Sequence, residues 1–368
     1  MLQKKMHFLL LALISIHITC VFGQVKTNSP GKGQDTKRGT VITEHLASTI
    51  LRENLIGLDT NRIIMVYLPP GYHNSGKSYP VVYYCHSFFS TAGKLFEDGN
   101  VVKILEQGFS NSIIPEFIFV AADYSGPTTG SLYENSPTSG RWLDFTVNEL
   151  IPFIDTKFRT IRHRDSRAIT GDFMGGRGAL KLAMTHAEVF SVVYALHPVA
   201  TGAGYIPWAA NEVNWKKIHQ AKTFSELAGE GRAQMFVAMA QAFLPNPNRP
   251  PFYCDFWMEP ENGELQLHTE NTRKAQAGFL LDHTLEESVK NLKEMRGIAF
   301  DWARYDPTPT HVYSNQAFTR KLEDLGIEHE AEEYRGTPWN KTWTENGRVY
   351  SRMLPFLAQH LVFDDKNN

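Results

Sequence analysis

The stretch SRAITGDFMGGRGALKLAMT, residues 166–185, decides how the rest of the chain is read. Ser166–Thr170 is a short run suited to a β-strand, and it passes directly into Gly171-Asp172-Phe173-Met174-Gly175-Gly176. Glycines at 171, 175 and 176 mark a sharp, strained turn. Arg177–Thr185 then has the composition of a helix. A strand, a sharp glycine turn and a helix make one βα unit of a parallel sheet.

The same alternation extends in both directions. Arg62–Leu68 reads as a strand stopped by Pro69-Pro70-Gly71, and Val81–Cys85 as a continuous apolar strand from the middle of a parallel sheet. Phe117–Ala122, Ser191–Leu196, Gly297–Asp301 and Glu328–Tyr334 are further strands. Trp142–Lys157 has helical spacing, with Trp142, Phe145, Leu150 and Phe153 toward one face. Ser314–Gly326 reads as a helix ended by glycine, and Gly347–His360 as the closing helix. The pattern predicts one α/β domain over residues 46–365, with a mostly parallel central sheet and helices on both faces. Residues 201–295 break the alternation. They are expected to be a mostly helical cap or lid, interrupted by the proline-rich Pro245–Pro251.

Residues 1–23 have the pattern of an export signal: Lys4 and Lys5, the apolar run Phe8–Ile16, and small residues Val21 and Gly23 before Gln24. The chain is therefore expected to be exported, periplasmic or secreted. Cys20 offers an alternative lipoprotein acylation site, although Thr19 before it is unusual there. Residues 24–45 are expected to be a flexible lead-in. No stretch is long and apolar enough to predict a membrane helix. A net charge of −2 gives no reason to expect nucleic acid as a partner. Past the signal only Cys85 and Cys254 remain, too few for a disulfide framework.

A strand, Gly-x-Ser-x-Gly and a helix form the nucleophile elbow of α/β-hydrolases, whose strained turn lifts a serine hydroxyl to the reaction centre. Here the frame is present and the central residue is Phe173. From Arg62 to Leu361 the chain resembles the esterase family that includes feruloyl-esterase-like, esterase-D-like and enterochelin-esterase-like hydrolases. The likeness rests on VYLPPGYHNSGKSYPVVYYCH (66–86), WLDFTVNELIPFIDTKFRT (142–160), RAITGDFMGGRGALKLAM (167–184), FDWARYD (300–306) and EYRGTPWNKTW (333–343). The resemblance implies the α/β-hydrolase fold and a Ser…Asp…His triad. It places the nucleophile position at Phe173, the acid at Asp306 and the histidine position at Pro338. It also implies an oxyanion hole made by the backbone N–H of Met174 and an N–H near Ser87 or Phe88, where His86-Ser87 stands in place of the family's His-Gly.

Phenylalanine carries no nucleophilic atom and the proline side chain accepts no proton. Loss of the serine or histidine of a triad costs about a millionfold in kcat in a well-studied protease. Asp172 is a carboxylate beside the elbow centre, but one residue out of register for attack. Cys85, at the end of a central strand, reads as a small buried hydrophobe. His86, His197, His311 and His329 are the candidates for a substitute base. Asp306 with His311 is too little for a metal site, no His-Glu-x-x-His occurs, and the elbow glycines lack dinucleotide-binding spacing, so no metal and no cofactor are expected. Trp208, Trp215, Phe252, Tyr253, Phe256 and Trp257 are candidates for lining an acyl pocket, or for core. The sequence predicts an exported pseudo-esterase or binding protein for a small-molecule ester or acyl ligand, with little hydrolysis. The alternative is a working or formerly working carboxylic-ester hydrolase with a serine-type acyl-enzyme mechanism.

Overall fold

A computed structural model of the chain describes residues 38–127, 129–203, 213–339 and 342–363. The signal-like segment, Cys20 and Trp208 lie outside the described residues.

Eight strands form one sheet: β1 (Thr40–Ala47), β2 (Asn61–Leu68), β3 (Val81–Cys85), β4 (Ile118–Ala122), β5 (Arg167–Asp172), β6 (Val192–Leu196), β7 (Gly297–Ala303) and β8 (Glu330–Tyr334). Their order across the sheet is β1-β2-β4-β3-β5-β6-β7-β8. The six strands from β4 to β8 run parallel, while β2 is antiparallel to β4 and β1 to β2. The central strands β3, β4, β6 and β7 are buried along their whole length, as their unbroken apolar runs require.

Alternate side chains of the sheet feed two apolar layers. Tyr83, Ile169 and Val193 pack with the helix α1 (Met174–Thr185) through Ala179, Leu180 and Leu182. Tyr84, Ala168 and Val192 pack on the opposite side with Val349, Met353, Leu354 and Leu357 of the C-terminal helical segment. This is a mixed, mostly parallel sheet with a helical layer on each face.

The segment 40–45, expected within the flexible lead-in, belongs to β1 instead. It pairs with β2 from Thr40 opposite Leu68 to Ala47 opposite Asn61. As an edge strand it buries only one face, so Ile42 and Leu46 reach the core while Thr43 and His45 face outward. That half-polar composition hid it.

The insertion over 201–295 holds the helices α2 (Gly231–Phe243) and α3 (Thr269–Phe279), but also a hairpin pairing Met258–Glu261 with Glu264–Leu267. Its turn is Asn262-Gly263, both with positive φ, the signature of a tight two-residue hairpin. The buried Arg177 of α1 ties the insertion down by donating hydrogen bonds to the carbonyls of Gly278 and Phe279 and to Glu134. Trp215, Phe252, Phe256 and Trp257 are buried and pack edge-to-face on one another. They form the insertion's own core, which removes them from the list of acyl-pocket candidates.

Candidate active site

The elbow is built by backbone contact. A Cβ on Gly175 would sit 1.9 Å from the Cys85 carbonyl oxygen and 2.7 Å from that of His86. A Cβ on Gly171 would meet the same Cys85 oxygen at 2.5 Å. Only glycine lets the start of α1 approach the end of β3 so closely. Between them Phe173 is forced to φ 50° and ψ −114°, a conformation that costs a non-glycine residue about 1–3 kcal/mol. The Phe173 amide donates to the Leu196 carbonyl at 3.1 Å, and its own carbonyl accepts from Arg177 at 3.0 Å, so both sides of the turn are pinned. Met174 opens α1, where first-turn N–H groups have no acceptor within the helix.

The loop that follows the last strand closes on this point. Trp339 stacks on Phe173, with ring centroids 4.6 Å apart and planes 22° from parallel. Pro338, its neighbour in the chain, is buried. The Gly336 carbonyl accepts from the Tyr305 amide at 3.0 Å, which joins this loop to the one that carries Asp306. The structure thus gathers the elbow, the acid loop and the 336–339 loop at the C-terminal ends of the parallel strands, the edge where open α/β sheets bind ligands.

On the other side of Phe173 lies His197, 5.0 Å away between ring centroids. His197 Nε2 is 2.6 Å from Asp306 Oδ2, and His311 Nδ1 is 2.9 Å from the same oxygen. The Thr308 amide donates to Asp306 Oδ1 at 2.6 Å. Burial pushes the Asp306 carboxyl toward its neutral form, but the bonds from His197, His311 and Thr308 outweigh it and hold the group well below the usual carboxylate range. Asp306 is therefore an ionised acceptor, and both imidazole nitrogens facing it carry protons. Spacing could not reveal His197 as a partner of Asp306, because 109 residues separate the two.

The partners of each histidine decide what it can do. His197 Nδ1 accepts from the Ala303 amide at 2.9 Å, so the ring is held as the Nε2–H tautomer with both nitrogens engaged. His86 is locked in the same way: its Nε2 accepts from the Tyr124 amide and its Nδ1 donates to the Ser87 carbonyl. His329 Nδ1 donates to the Ile327 carbonyl and Nε2 takes the Thr319 hydroxyl, at the start of β8, the end of the sheet away from the elbow. Of the four, His197 and His311 couple a nitrogen to the Asp306 carboxylate beside the elbow.

His197, Asp306 and His311 also bring three potential metal ligands within 4.8 Å of one another, a convergence that spacing had not shown. The tautomer argues against coordination. A ligating histidine offers a bare nitrogen and donates its other N–H outward, whereas His197 presents N–H to the cluster and accepts from Ala303. The residues do not fit a metal.

Asp172 lies in the same strand-face series as Ala168 and Thr170, turned toward Tyr84 and away from Phe173. Burial raises its carboxyl to about 6, against hydrogen bonds from Tyr84 and the Ser87 amide that favour the charged form. Burial raises the Cys85 thiol far above its usual range, which leaves it unreactive.

The sheet order, the elbow and the acid at the C-terminal edge define an α/β-hydrolase. The chain belongs to the family described as "Putative esterase", whose profile matches residues 57–277. An esterase of Mycobacterium tuberculosis is 32% identical over 128 residues, 35% of this chain and 27% of that protein. The chain thus matches little more than a quarter of that relative's length. An uncharacterized protein of Bacillus subtilis is 24% identical over 191 residues, 48% of this chain and 72% of that one. Among solved structures, a ferulic acid esterase superposes with a TM-score of 0.60 at 19% identity, covering 88% of this chain and 99% of its own. An S-formylglutathione hydrolase from Agrobacterium tumefaciens gives 0.55 at 15% identity, with 88% and 96% covered. At these identities the structural likeness establishes the α/β-hydrolase fold. No helix among the described residues is long and apolar enough to cross a membrane.

Proposed function

We propose that this chain is a pseudo-esterase: an esterase-family protein that binds a small ester or acyl compound at its C-terminal sheet edge and hydrolyses it little. One observation carries the reading. Phe173 occupies the elbow with the strained backbone of a nucleophile, yet presents a benzene ring stacked on Trp339. No acyl-enzyme forms on a side chain without a nucleophilic atom. Asp172 does not substitute for it, since it faces Tyr84, and neither does the buried Cys85. With Pro338 at the histidine position implied by the family pattern, the serine route lacks two of its three members. The basic, apolar and small-residue pattern of residues 1–23 supports export to the periplasm or the medium as part of this reading.

Steady-state turnover of p-nitrophenyl acetate by the unmodified protein tests this. The expected rate is no more than about 10³–10⁴ over water, the level that binding and an oxyanion site supply by themselves. Saturable turnover at ordinary enzyme rates, about 1–10³ s⁻¹, overturns the reading.

A further inference from the structure

We infer that the cavity bounded by Glu106, Phe109 and Glu116 binds a small organic primary amine in its protonated form. The cavity lies where β2 ends and the chain enters β4, at the edge of the sheet opposite the elbow. Its ligand is therefore distinct from the ester or acyl compound proposed for the C-terminal edge.

The cavity holds about 550 Å³, a size that suits a small molecule. Pro70, Phe109, Ile114 and Pro115 give it apolar walls, and Glu106 and Glu116 bring two carboxylates to it. Glu106 Oε1 accepts from the Gly39 amide at 2.8 Å, and Glu116 Oε1 from the Gly71 amide at 3.0 Å. Among the described residues neither carboxylate forms an ion pair; Lys103, on the same helix as Glu106, pairs with Glu345 instead. That helix, Asn100–Ser110, ends at the cavity with no basic residue in its last turn, and its backbone dipole there also favours a cation. The second feature is Tyr67. It is 0% exposed, and its hydroxyl has no hydrogen-bond partner among the described residues, although a buried tyrosine hydroxyl ordinarily finds one. Its ring packs on Phe109 of the cavity wall, with centroids 6.4 Å apart. Its hydroxyl reaches Gly39, where a Cβ would sit 2.4 Å from the oxygen, and Gly39 is the residue whose amide holds Glu106. Burial, and after it the charges of Glu106 and Glu116, raise the phenol far above its usual range, so a neutral hydroxyl stands between two carboxylates. A primary ammonium has three N–H donors and no acceptor, which matches in number the acceptor groups of Glu106, Glu116 and Tyr67. Its hydrocarbon body suits the apolar walls. A hard metal ion such as calcium takes about 6–8 oxygen ligands, and walls of proline, phenylalanine and isoleucine do not supply them.

Calorimetric titration of the full chain with 2-phenylethylammonium chloride tests this. Binding should be saturable, and about tenfold or more tighter than that of 2-phenylethanol, the neutral analogue of the same shape, since a hydrogen bond to a charged group is lost with the charge. Glu106→Gln/Glu116→Gln should weaken amine binding by about tenfold or more on the same ground, while each glutamine oxygen still accepts from the Gly39 or Gly71 amide. No saturable binding, equal binding of the alcohol, or unchanged affinity in the double variant overturns the assignment. Displacement of the amine by calcium chloride but not by sodium chloride at equal ionic strength would make this a metal site and overturn it too. Tyr67→Phe supplies a second measurement should the double variant fold poorly. It should weaken amine binding several-fold and leave the melting temperature of the amine-free protein unchanged. Unchanged affinity, or a lowered melting temperature, would show that the hydroxyl serves the fold and not a ligand, and would overturn the assignment.

Discussion

The elbow and the acid loop face each other across Phe173, and they have kept opposite things. The elbow retains its backbone: glycines at 171 and 175 pressed on the Cys85 carbonyl, and a positive φ at 173. At its centre stands the ring of Phe173, stacked on Trp339. The acid loop retains chemistry, an ionised Asp306 gripped by two imidazoles and an amide, and the position expected to hold its histidine carries Pro338 instead. The comparison shows that the strained turn needs no serine at its centre to hold its shape. Its geometry is enforced by packing against β3, not by the reaction.

The largest expected effect breaks the elbow side. Gly175→Ala puts a methyl group 1.9 Å from a backbone oxygen, with no flexible neighbour to yield. It should destabilise the fold by more than about 4 kcal/mol, in the range reserved for severe core lesions. Gly76→Ala, with nothing within 4 Å of the new Cβ, should stay within about 0.5 kcal/mol. Urea denaturation of the pair measures both. If the two shift equally, the elbow is not held by close packing.

The acid side comes next. Asp306→Asn replaces an ionised acceptor that three donors address, and at pH 7 should cost about 2–4 kcal/mol, since hydrogen bonds to charged groups are worth roughly 1.5–3 each and some re-form. The pH dependence follows from the depressed carboxyl. Its contribution is present above the unfolded value near 4 and is lost as pH falls through the lower folded value. The stability gap between wild type and Asp306→Asn should therefore be full at pH 6 and shrink progressively below about pH 4. A gap that widens on acidification would contradict the hydrogen-bonding account.

The smallest effect sharpens the contact between the two regions. Trp339 is 68% exposed, so its stack on Phe173 removes little area from water. Trp339→Ala should cost about 0.5–1.5 kcal/mol, the range of an aromatic pair. A larger loss in thermal denaturation would mean that the 336–339 loop supports the elbow more than its exposure indicates.

The sequence made the sheet legible where strands are apolar throughout, as at Val81–Cys85 and Gly297–Asp301, and where glycines allow only one turn. It failed at β1, whose outward face is polar, and at the Asn262-Gly263 hairpin, a strong local signal submerged in a segment read as helical. The site was legible by position more than by bonding. Phe173, Asp306 and His311 could all be named from the chain. The convergence of His197 on Asp306, and the Ala303 amide that settles its tautomer, join residues 106 and 109 apart and exist only in the fold.

The most direct test of the proposed pseudo-esterase reading is labelling by a fluorophosphonate probe, read by mass spectrometry on the unmodified protein and on Phe173→Ser side by side. The account expects the unmodified protein to remain unlabelled and Phe173→Ser to take one equivalent at residue 173. Labelling of the unmodified protein, or a folded Phe173→Ser that takes no probe, would contradict it.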